Sequence, residues 1–290
     1  MESDAEPESI GKLWRSVFQP ANDVSSDPLP SFQISSEFHL KNAINLGWLS
    51  HAVYIQETER RQALLDEMGF REIAHFSTQR LHWSQVSPKN DGGTQLVAFR
   101  GTSDLLHWIF NMQTLLTSWL EGGKVHGGFA RAYKKLVEPL RDALENAPAE
   151  QLYFTGHSLG GALALFASTQ FGTTATYTFG CPRPGNPTFA EAAEASSSVY
   201  RVVYDQDLVT TIPYEISFLK DLAYKHTGTP VHLRPDEPLL VDDTSALPRS
   251  RKSWKQALHA MLEGDHIGEP LPAVQDHAPS GYVRALRSLE

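Results

Sequence analysis

The chain is organised around a Gly-x-Ser-x-Gly pentapeptide that lies between a strand-like run and a helix-like run. Residues 151–155 are rich in β-formers, Gly156–Gly160 form the pentapeptide, and the alanine-rich run 162–167 follows. A serine on so sharp a turn has a strained backbone, and glycines two positions before and after it leave room for the turn. The turn lifts the Ser158 hydroxyl above the sheet edge and points the first N–H groups of the helix at an acyl oxygen. We therefore predict that Ser158 is a nucleophile and that His157 is structural.

Composition narrows the classes of protein to which the chain can belong. Of its 290 residues, 41% are hydrophobic, and 25 basic against 34 acidic residues give a net charge of -9. An interspersed charge of this sign argues against nucleic acid or an anionic membrane as an electrostatic partner. We expect a loosely ordered, acidic, proline-containing arm at residues 1–30 and a single enzyme domain at residues 31–290.

The amino terminus and the cysteine content bear on the cellular compartment. Residues 1–9 are acidic and contain neither a basic segment nor an apolar core, so we expect no secretory leader. Apolar runs stay well short of the roughly 20 residues that a membrane-spanning helix needs. Cys181 is the sole cysteine, which excludes an intrachain disulfide and a thiolate metal cluster. These features predict a cytoplasmic protein, or one exported by a non-classical route.

Hydrophobic spacing predicts helices and strands that alternate along the chain. The helical runs are Ser35–Glu59, 127–146, 162–167 and Ser280–Leu289. The strand-like runs are Glu72–Val86, Thr94–Phe99, Gln151–Thr155, Thr174–Phe179, Ser198–Tyr204 and Thr229–Leu233. This order favours an α/β fold in which helices flank a central, mostly parallel sheet.

An oxyanion-binding position and a covering segment follow the strand that ends at Phe99. Thr102 lies where such sheets carry oxyanion-hole donors, and a simple polar turn is the alternative interpretation. The next stretch, 104–122, has a wide apolar stripe at helical spacing. Core packing explains such a stripe, and so does a helical lid that meets lipid. The candidate lid or substrate-binding residues are Leu105, Trp108, Ile109 and Met112.

The acid and the base that a serine nucleophile needs must be chosen from several candidates. Asp205 and Asp207 both follow the strand Ser198–Tyr204, and the apolar pair after Asp207 anchors its backbone better. The histidines beyond the acid are His226, His232, His259, His266 and His277. We favour His277, in a loop before the last helix, with His266 second. His126 precedes the nucleophile and is interpreted as structural, and Cys181 as a packed small residue.

Several patches taken together resemble the class 3 lipase family, the fungal-lipase type of α/β-hydrolase. They are Phe99–Thr102, Val125–Phe129, Gly156–Gly161, Thr178–Arg183, Asp207–Val209 and Asp276–His277. The resemblance implies an α/β-hydrolase fold with a Ser158, Asp207 and His277 triad. It also implies an oxyanion hole formed by Thr102 and the backbone N–H of Leu159, and a lid within 103–120.

The resemblance implies a serine hydrolase that cleaves carboxylic esters of lipids, as a triacylglycerol lipase or esterase does. This chemistry needs no metal or organic cofactor. The expected partners are a lipid ester substrate and, transiently, lipid aggregates or a membrane surface, without nucleic acid. Three alternatives stay open: a phospholipase, an acyltransferase of the same fold, and a catalytically silent lipase-like scaffold. Labelling by a serine-directed phosphonate separates the enzymes from the scaffold.

Overall fold

A central sheet dominates the architecture. The computed structural model describes residues 28–102, 116–213, 223–235, 237–243 and 275–290. The strands of this part are β1 (Phe70–Ser77), β2 (His82–Pro88), β3 (Thr94–Phe99), β4 (Leu116–Ser118), β5 (Lys124–His126), β6 (Gln151–His157), β7 (Ala175–Phe179), β8 (Ser198–Tyr204), β9 (Thr229–Leu233) and β10 (Leu240–Val241). Eight of them form one sheet in the order β1-β2-β3-β6-β7-β8-β9-β10, and β4 pairs with β5 in a separate ribbon.

Strand direction divides the sheet into a parallel centre and antiparallel margins. β3, β6, β7, β8 and β9 run parallel to one another, whereas β2 is antiparallel to both of its neighbours, β1 and β3, and β10 is antiparallel to β9. Every residue of β3 and of β7 is buried. Such burial is expected when helices cover both faces of parallel strands. The predicted α/β class with a mostly parallel sheet is therefore confirmed.

Helices cover both faces of the sheet. Those of the described part are α1 (Leu40–Ala52), α2 (Thr58–Glu67), α3 (Gly127–Tyr133), α4 (Val137–Asn146), α5 (Leu159–Phe171), α6 (Pro187–Ser196) and α7 (Pro279–Arg287). One core lies between the sheet and the packed pair α1 and α7, and the other lies under α5 with α3 and α6 beside it. Within the described ranges, each helix is too short or too polar to cross a bilayer.

The helix predicted over Ser35–Glu59 is instead two helices, α1 and α2, with the link 53–57 between them. Arg61 donates a hydrogen bond from Nη1 to the carbonyl of Ile55 at 3.1 Å, and this bond holds the link against α2. The single-helix prediction is wrong because apolar spacing continues across the link, while tertiary contacts end the first helix before it.

The helix predicted over 127–146 also divides in two, at the link between α3 and α4. Pro139 supplies the reason, because it has no N–H to donate to a carbonyl four residues earlier in a helix. Proline is tolerated in the first turn, where N–H groups lack helical acceptors anyway. A new helix that begins at Val137 puts Pro139 in that first turn.

The single strand predicted over Glu72–Val86 is an antiparallel hairpin of β1 and β2. At the turn, the N–H of Thr78 donates to the carbonyl of Leu81 at 2.8 Å, and the N–H of Leu81 donates to Thr78 Oγ1 at 3.0 Å. Alternation of side chains has the same period in both strands. The period alone therefore does not reveal where the chain reverses.

Candidate active site

Four loops leave the carboxyl ends of adjacent parallel strands at one edge of the sheet. β3 leads to Thr102, β6 to Ser158, β7 to Gly180 and β8 to Asp207. The segment before α7 returns to the same edge, where His277 Nδ1 lies 2.8 Å from Asp207 Oδ2. In open α/β sheets, this is the edge at which ligands bind.

The turn at Ser158 is strained and tightly packed. Ser158 has φ 59° and ψ -128° between β6 and α5, a region that costs free energy for a residue with a side chain. A Cβ on Gly156 would collide with the backbone of Gly160, and a Cβ on Gly160 would collide with the carbonyl of Phe99. Close backbone approach therefore explains both glycines, as the sequence predicted.

The Ser158 hydroxyl is buried in the angle between β6 and α5. Its backbone N–H donates to the carbonyl of Phe179 at 2.9 Å, which fixes the turn against β7. The Oγ atom has no hydrogen-bond partner among the described residues, so it is not bonded to His277 in this arrangement. Hydrogen bonds of catalytic groups often tighten only when substrate is bound.

Three hydrogen bonds hold the Asp207 carboxylate. Oδ1 accepts the N–H of Val209 at 2.9 Å, which caps the short 3₁₀ turn that follows. Oδ2 accepts from His277 Nδ1 at 2.8 Å and from the hydroxyl of Tyr282 at 2.5 Å. The side chains of Asp207, His277 and Tyr282 are all buried. A carboxylate so held orients the imidazole and stabilises positive charge on it.

Gly180 forms the wall behind the Asp207 and His277 pair. Its φ is +58°, and an added Cβ would lie 2.7 Å from Asp207 Oδ2 and 2.9 Å from His277 Nδ1. Real Cβ atoms do not approach other atoms so closely. A glycine is therefore needed here both for backbone conformation and for space.

The two predicted oxyanion donors, Leu159 and Thr102, adjoin residues that lie at the nucleophile turn. Leu159 is the first residue of α5, so its N–H has no acceptor within the helix. Thr102 is half-buried and follows Gly101, at which an added Cβ would lie 3.1 Å from Ser158 Cβ. The loops that carry the two predicted donors, after β3 and after β6, thus approach each other at Ser158.

The predicted lid falls mostly outside the described residues. The four candidate lid residues, Leu105, Trp108, Ile109 and Met112, are not among those described. The helix predicted to run on to residue 122 is wrong at its end, because 116–118 form β4 of the ribbon. Trp119 packs against Phe166 with a centroid distance of 4.6 Å, and Leu120 beside it is 93% exposed.

Two further groups of reactive residue types, His126 and Cys181, are buried. His126 Nδ1 accepts the N–H of Phe129 at 3.3 Å, and burial, helped by the charge of Arg131, lowers the pKa of His126 to about 4. Burial raises the pKa of the Cys181 thiol to about 12. Both are consistent with the structural roles that the sequence analysis assigned.

The other candidate bases lie elsewhere or outside the described residues. His232 Nε2 lies 3.1 Å from the carbonyl of Asp205, and burial lowers the pKa of His226 well below its ordinary value. His259 and His266 are not among the described residues. Among the described histidines, His277 is the one whose ring contacts the carboxylate of Asp207.

Sequence reasoning missed two tyrosines of the site. Tyr282 falls within the helical run predicted over Ser280–Leu289, and its hydroxyl donates a hydrogen bond to Asp207 Oδ2. Tyr54 was placed within a long helix, yet its hydroxyl lies 3.1 Å from His157 Nδ1. The position of Tyr282, five residues after His277, is a signal that it lies near the base. No comparable local signal marks Tyr54.

A second carboxylate lies beside the acid and base. Burial raises the pKa of Asp276 to about 6, and the charges of Asp205 and Asp207 add to this effect. The N–H of Gln206, which donates to Asp276 Oδ2 at 3.2 Å, acts in the opposite direction and lowers the pKa. Negative charge gathered here favours a cationic imidazole at His277 during proton transfer.

Comparison with known proteins identifies the segment that carries most of these loops. Residues 96–217 match the family model described as lipase (class 3). This segment is similar to the class 3 lipase family. The resemblance drawn from the sequence motifs is thereby confirmed. The class 3 lipase match includes Thr102, Ser158 and Asp207 and ends before His277.

Curated relatives of the class 3 lipase segment include lipases and a phospholipase. A lipase of Rhizomucor miehei is 33% identical over 136 residues, which are 41% of this chain and 38% of the relative. Secreted mono- and diacylglycerol lipase 1 of Fusarium solani is 31% identical over 144 residues, which are 46% of this chain and 42% of the relative. Phospholipase A(1) DAD1, chloroplastic, of Arabidopsis thaliana is 30% identical over 148 residues, with shares of 41% and 33%. The chain thus spans less than half the length of these relatives.

Solved structures of lipases share the fold. Lipase II from Rhizopus niveus has a TM-score of 0.59 at 23% identity, over 71% of this chain and 85% of that one. A fungal lipase–inhibitor complex, presented as a model for interfacial activation in lipases, has a TM-score of 0.57 at 22% identity, over 81% and 92%. The predicted α/β-hydrolase fold is confirmed.

The predicted cytoplasmic location is wrong. Relatives of the class 3 lipase segment from Fusarium solani and Malassezia globosa are named as secreted lipases. The prediction rested on two absences: residues 1–9 show no pattern of a secretory leader, and a single cysteine cannot form an intrachain disulfide. Such absences do not establish a compartment, so they carry no weight against these relatives.

Proposed function

We propose that the protein hydrolyses carboxylic esters of lipids through an acyl-enzyme on Ser158. The observation that carries the proposal is the 2.8 Å contact between His277 Nδ1 and Asp207 Oδ2, at the sheet edge where Ser158 begins α5. A carboxylate, an imidazole and a serine hydroxyl that lie at one edge of a sheet are the groups that nucleophilic acyl transfer uses.

Acylation begins when Ser158 Oγ attacks the ester carbonyl carbon. His277 Nε2 takes the hydroxyl proton, while Asp207 holds the other ring nitrogen and stabilises the imidazolium. The carbonyl π electrons move to oxygen, and the N–H groups of Thr102 and Leu159 bind the oxyanion. Loss of one such donor typically costs about 3 kcal/mol in the transition state. The tetrahedral intermediate then collapses, and the leaving alkoxide takes the proton from His277.

Deacylation repeats these steps with water as the nucleophile. His277 removes a proton from water as the water oxygen attacks the acyl carbon, and the same donors bind the second oxyanion. Collapse breaks the bond to Ser158 Oγ, which recovers its proton from His277, and the carboxylic acid leaves. The cycle thus balances: the proton of Ser158 leaves with the alcohol, a proton from water replaces it, and His277 is neutral again at the end.

A lipid ester is the substrate class that we propose. The stretch 104–122 is rich in leucine and tryptophan, and it follows directly on the oxyanion position at Thr102. Apolar cover at this place suits an acyl chain better than a small polar ester. The names of the Rhizomucor and Fusarium relatives agree with this class. We also propose transient contact with lipid aggregates.

Phospholipid hydrolysis is the second candidate. Its support is the Arabidopsis relative named as a phospholipase A(1), which is 30% identical over 148 residues. The acyl-transfer chemistry is the same for both substrates, since a phospholipid presents the same carboxylic ester to the serine. The difference lies in the headgroup, so a substrate panel separates the two candidates.

The test is hydrolysis of p-nitrophenyl esters of short and long chains, triacylglycerol and phospholipid by wild type and Ser158→Ala. Loss of the hydroxyl should abolish all hydrolysis, because no other described group takes the place of Oγ. Thermal stability should stay nearly unchanged, since this hydroxyl makes no hydrogen bond to the described residues. His277→Ala should also be inactive. Retention of most activity by Ser158→Ala would contradict the proposal.

A further inference from the structure

His157 occupies a buried position between two parts of the candidate site. Its ring Nδ1 lies 3.1 Å from the hydroxyl of Tyr54, and Nε2 lies 2.8 Å from the backbone carbonyl of His277. Ring centroids of His277 and Tyr282 are 4.5 Å and 5.8 Å from that of His157. The side chain of the residue before the nucleophile is thus held on both nitrogens and packed by rings.

The two contacts of His157 settle its tautomer. A carbonyl oxygen only accepts hydrogen bonds, so the proton must be on Nε2, which donates to His277. Burial, aided by the nearby His277, lowers the pKa of His157 well below its ordinary value, so the ring is neutral. Nδ1 is therefore an acceptor, and the hydroxyl of Tyr54 donates to it.

Tyr54 extends the contact to the loop that carries Thr102. Its oxygen accepts a hydrogen bond from the backbone of Gly101, the residue before Thr102. Gly101 is packed so closely that an added Cβ would collide with the Tyr54 hydroxyl and lie 2.6 Å from the carbonyl of His157. The hydrogen bonds share one direction, from Gly101 through Tyr54 and into His157 Nδ1.

We propose that His157 is a positioning residue that ties the base to the oxyanion loop. The set of Gly101 N–H, Tyr54 hydroxyl, His157 ring and His277 carbonyl is called here the His157 bridge. It holds the backbone of His277 at a set distance from the backbone that precedes Thr102, across the nucleophile turn. The proposal deepens the hydrolase function and rests on it.

The His157 bridge has a specific kinetic consequence. Proton transfer at His277 and oxyanion binding at Thr102 both happen in the transition state, and both depend on distances of a few tenths of an ångström. Loosening the bridge should lower kcat for a soluble ester and leave KM nearly unchanged, because ground-state binding of the acyl chain does not use these groups.

Tyr54→Phe is the sharpest variant, because it removes one oxygen and keeps the ring. Its matched control is Tyr153→Phe, a buried tyrosine of β6 whose hydroxyl bonds the backbone of Ser35, far from the site. Rates are expressed per active site, titrated with a serine-directed phosphonate, so that misfolded protein does not count. We expect kcat to fall about tenfold in Tyr54→Phe and less than twofold in Tyr153→Phe, with KM within twofold in both.

Substitution of His157 itself supplies a rescue test. A glutamine amide can keep the N–H donor toward the His277 carbonyl, whereas leucine has no donor. We expect His157→Gln to retain several times the kcat of His157→Leu. The double variant Tyr54→Phe and His157→Gln should be no worse than the poorer single variant, because both changes break the same contact.

The outcomes separate the bridge from the proposed function. Equal kcat per titrated site in Tyr54→Phe and Tyr153→Phe overturns the His157 bridge, even while Ser158→Ala is inactive. An active Ser158→Ala overturns the hydrolase function itself. If His157→Leu does not fold, Tyr54→Phe and His157→Gln still decide the question.

Discussion

At the residue scale, the candidate site depends on a glycine, because a Cβ at that position would collide with neighbouring side chains. Gly180 and Gly172 both have positive φ, +58° and +65°, but their surroundings differ. Nothing lies within 4 Å of a Cβ added to Gly172, whereas a Cβ on Gly180 would press on Asp207 and His277. The pair therefore separates the cost of backbone strain from the cost of displaced catalytic groups.

Gly180→Ala should reduce kcat/KM at least a hundredfold, because the methyl group displaces the base from the acid. Gly172→Ala should leave kcat/KM unchanged and destabilise the fold by about 2 kcal/mol, because φ 65° and ψ 151° lie in a region that residues with a side chain rarely adopt. Ester hydrolysis and thermal melts of both variants check this. Equal activity in the two variants would show that the Asp207 and His277 pair tolerates the added atom.

At the element scale, a buried ion pair joins α2 to the first hairpin. Arg61 Nε lies 2.8 Å from Glu72 Oε1, and Nη2 donates to Oε2 at 3.2 Å, with 1% and 4% of the two side chains exposed. Ser84 Oγ also donates to Glu72, at 2.6 Å. Burial acts to raise the pKa of Glu72, but the hydrogen bonds from Arg61 and Ser84 outweigh it and lower the pKa.

Glu72→Gln should destabilise the fold by about 3 kcal/mol at pH 7, because it leaves the buried Arg61 charge without its counter-charge. A lowered folded-state pKa contributes stability that is present above the ordinary value of 4.5 and is lost as pH falls through the folded value. The difference from wild type should therefore shrink below about pH 4. Denaturant unfolding across pH measures it.

The control for this change is Glu138→Gln. Glu138 is paired with Arg141 at 3.7 Å on the surface of α4, and 73% of its side chain is exposed. An exposed pair of this kind contributes little, so we expect a change under about 0.5 kcal/mol at every pH. A loss in Glu138→Gln as large as that in Glu72→Gln would mean that net charge, not the buried pair, sets the effect.

At the scale of the whole molecule, the sheet brings together groups that are far apart in the chain. Thr102 and His277 are 175 residues apart in the chain (277 minus 102), yet the loops that carry them both reach the edge that carries Ser158. The ribbon of β4 and β5 lies after the stretch that we predict to be a lid, and its turn exposes Leu120 almost completely. If the stretch before the ribbon is a lid, Leu120 is an apolar side chain beside it that a lipid surface could contact, and a substitution at Leu120 tests this.

We expect the rate of hydrolysis to rise steeply once the substrate passes from monomers to aggregates, since the aggregate surface holds an apolar cover open. Leu120→Asp should reduce the rate on aggregates severalfold and leave hydrolysis of a monomeric short-chain ester unchanged. Ile34→Asp is the control, an exposed apolar residue beside Ser35, which bonds Tyr153 away from the site. Smooth saturation through the aggregation point would favour core packing of 104–120 instead.

The sequence by itself determined the nucleophile turn, the order of the central strands along the chain and the α/β class. Each depends on interactions within a few residues: glycines around Ser158, alternating apolar side chains, and an alanine-rich run after the turn. The local pattern favoured Asp207 over Asp205 and His277 over four other histidines, and the resemblance of spaced motifs implied the same acid and base.

Only the tertiary structure decided which groups meet. Asp207 contacts His277 because β8 and the segment before α7 end at one edge, and a local pattern holds no information on that distance. The same holds for Tyr54, which the sequence placed inside a helix but which the break after α1 turns toward His157. Contacts across a hundred residues depend on how the layers pack, so only the folded chain brings these hydrogen bonds together.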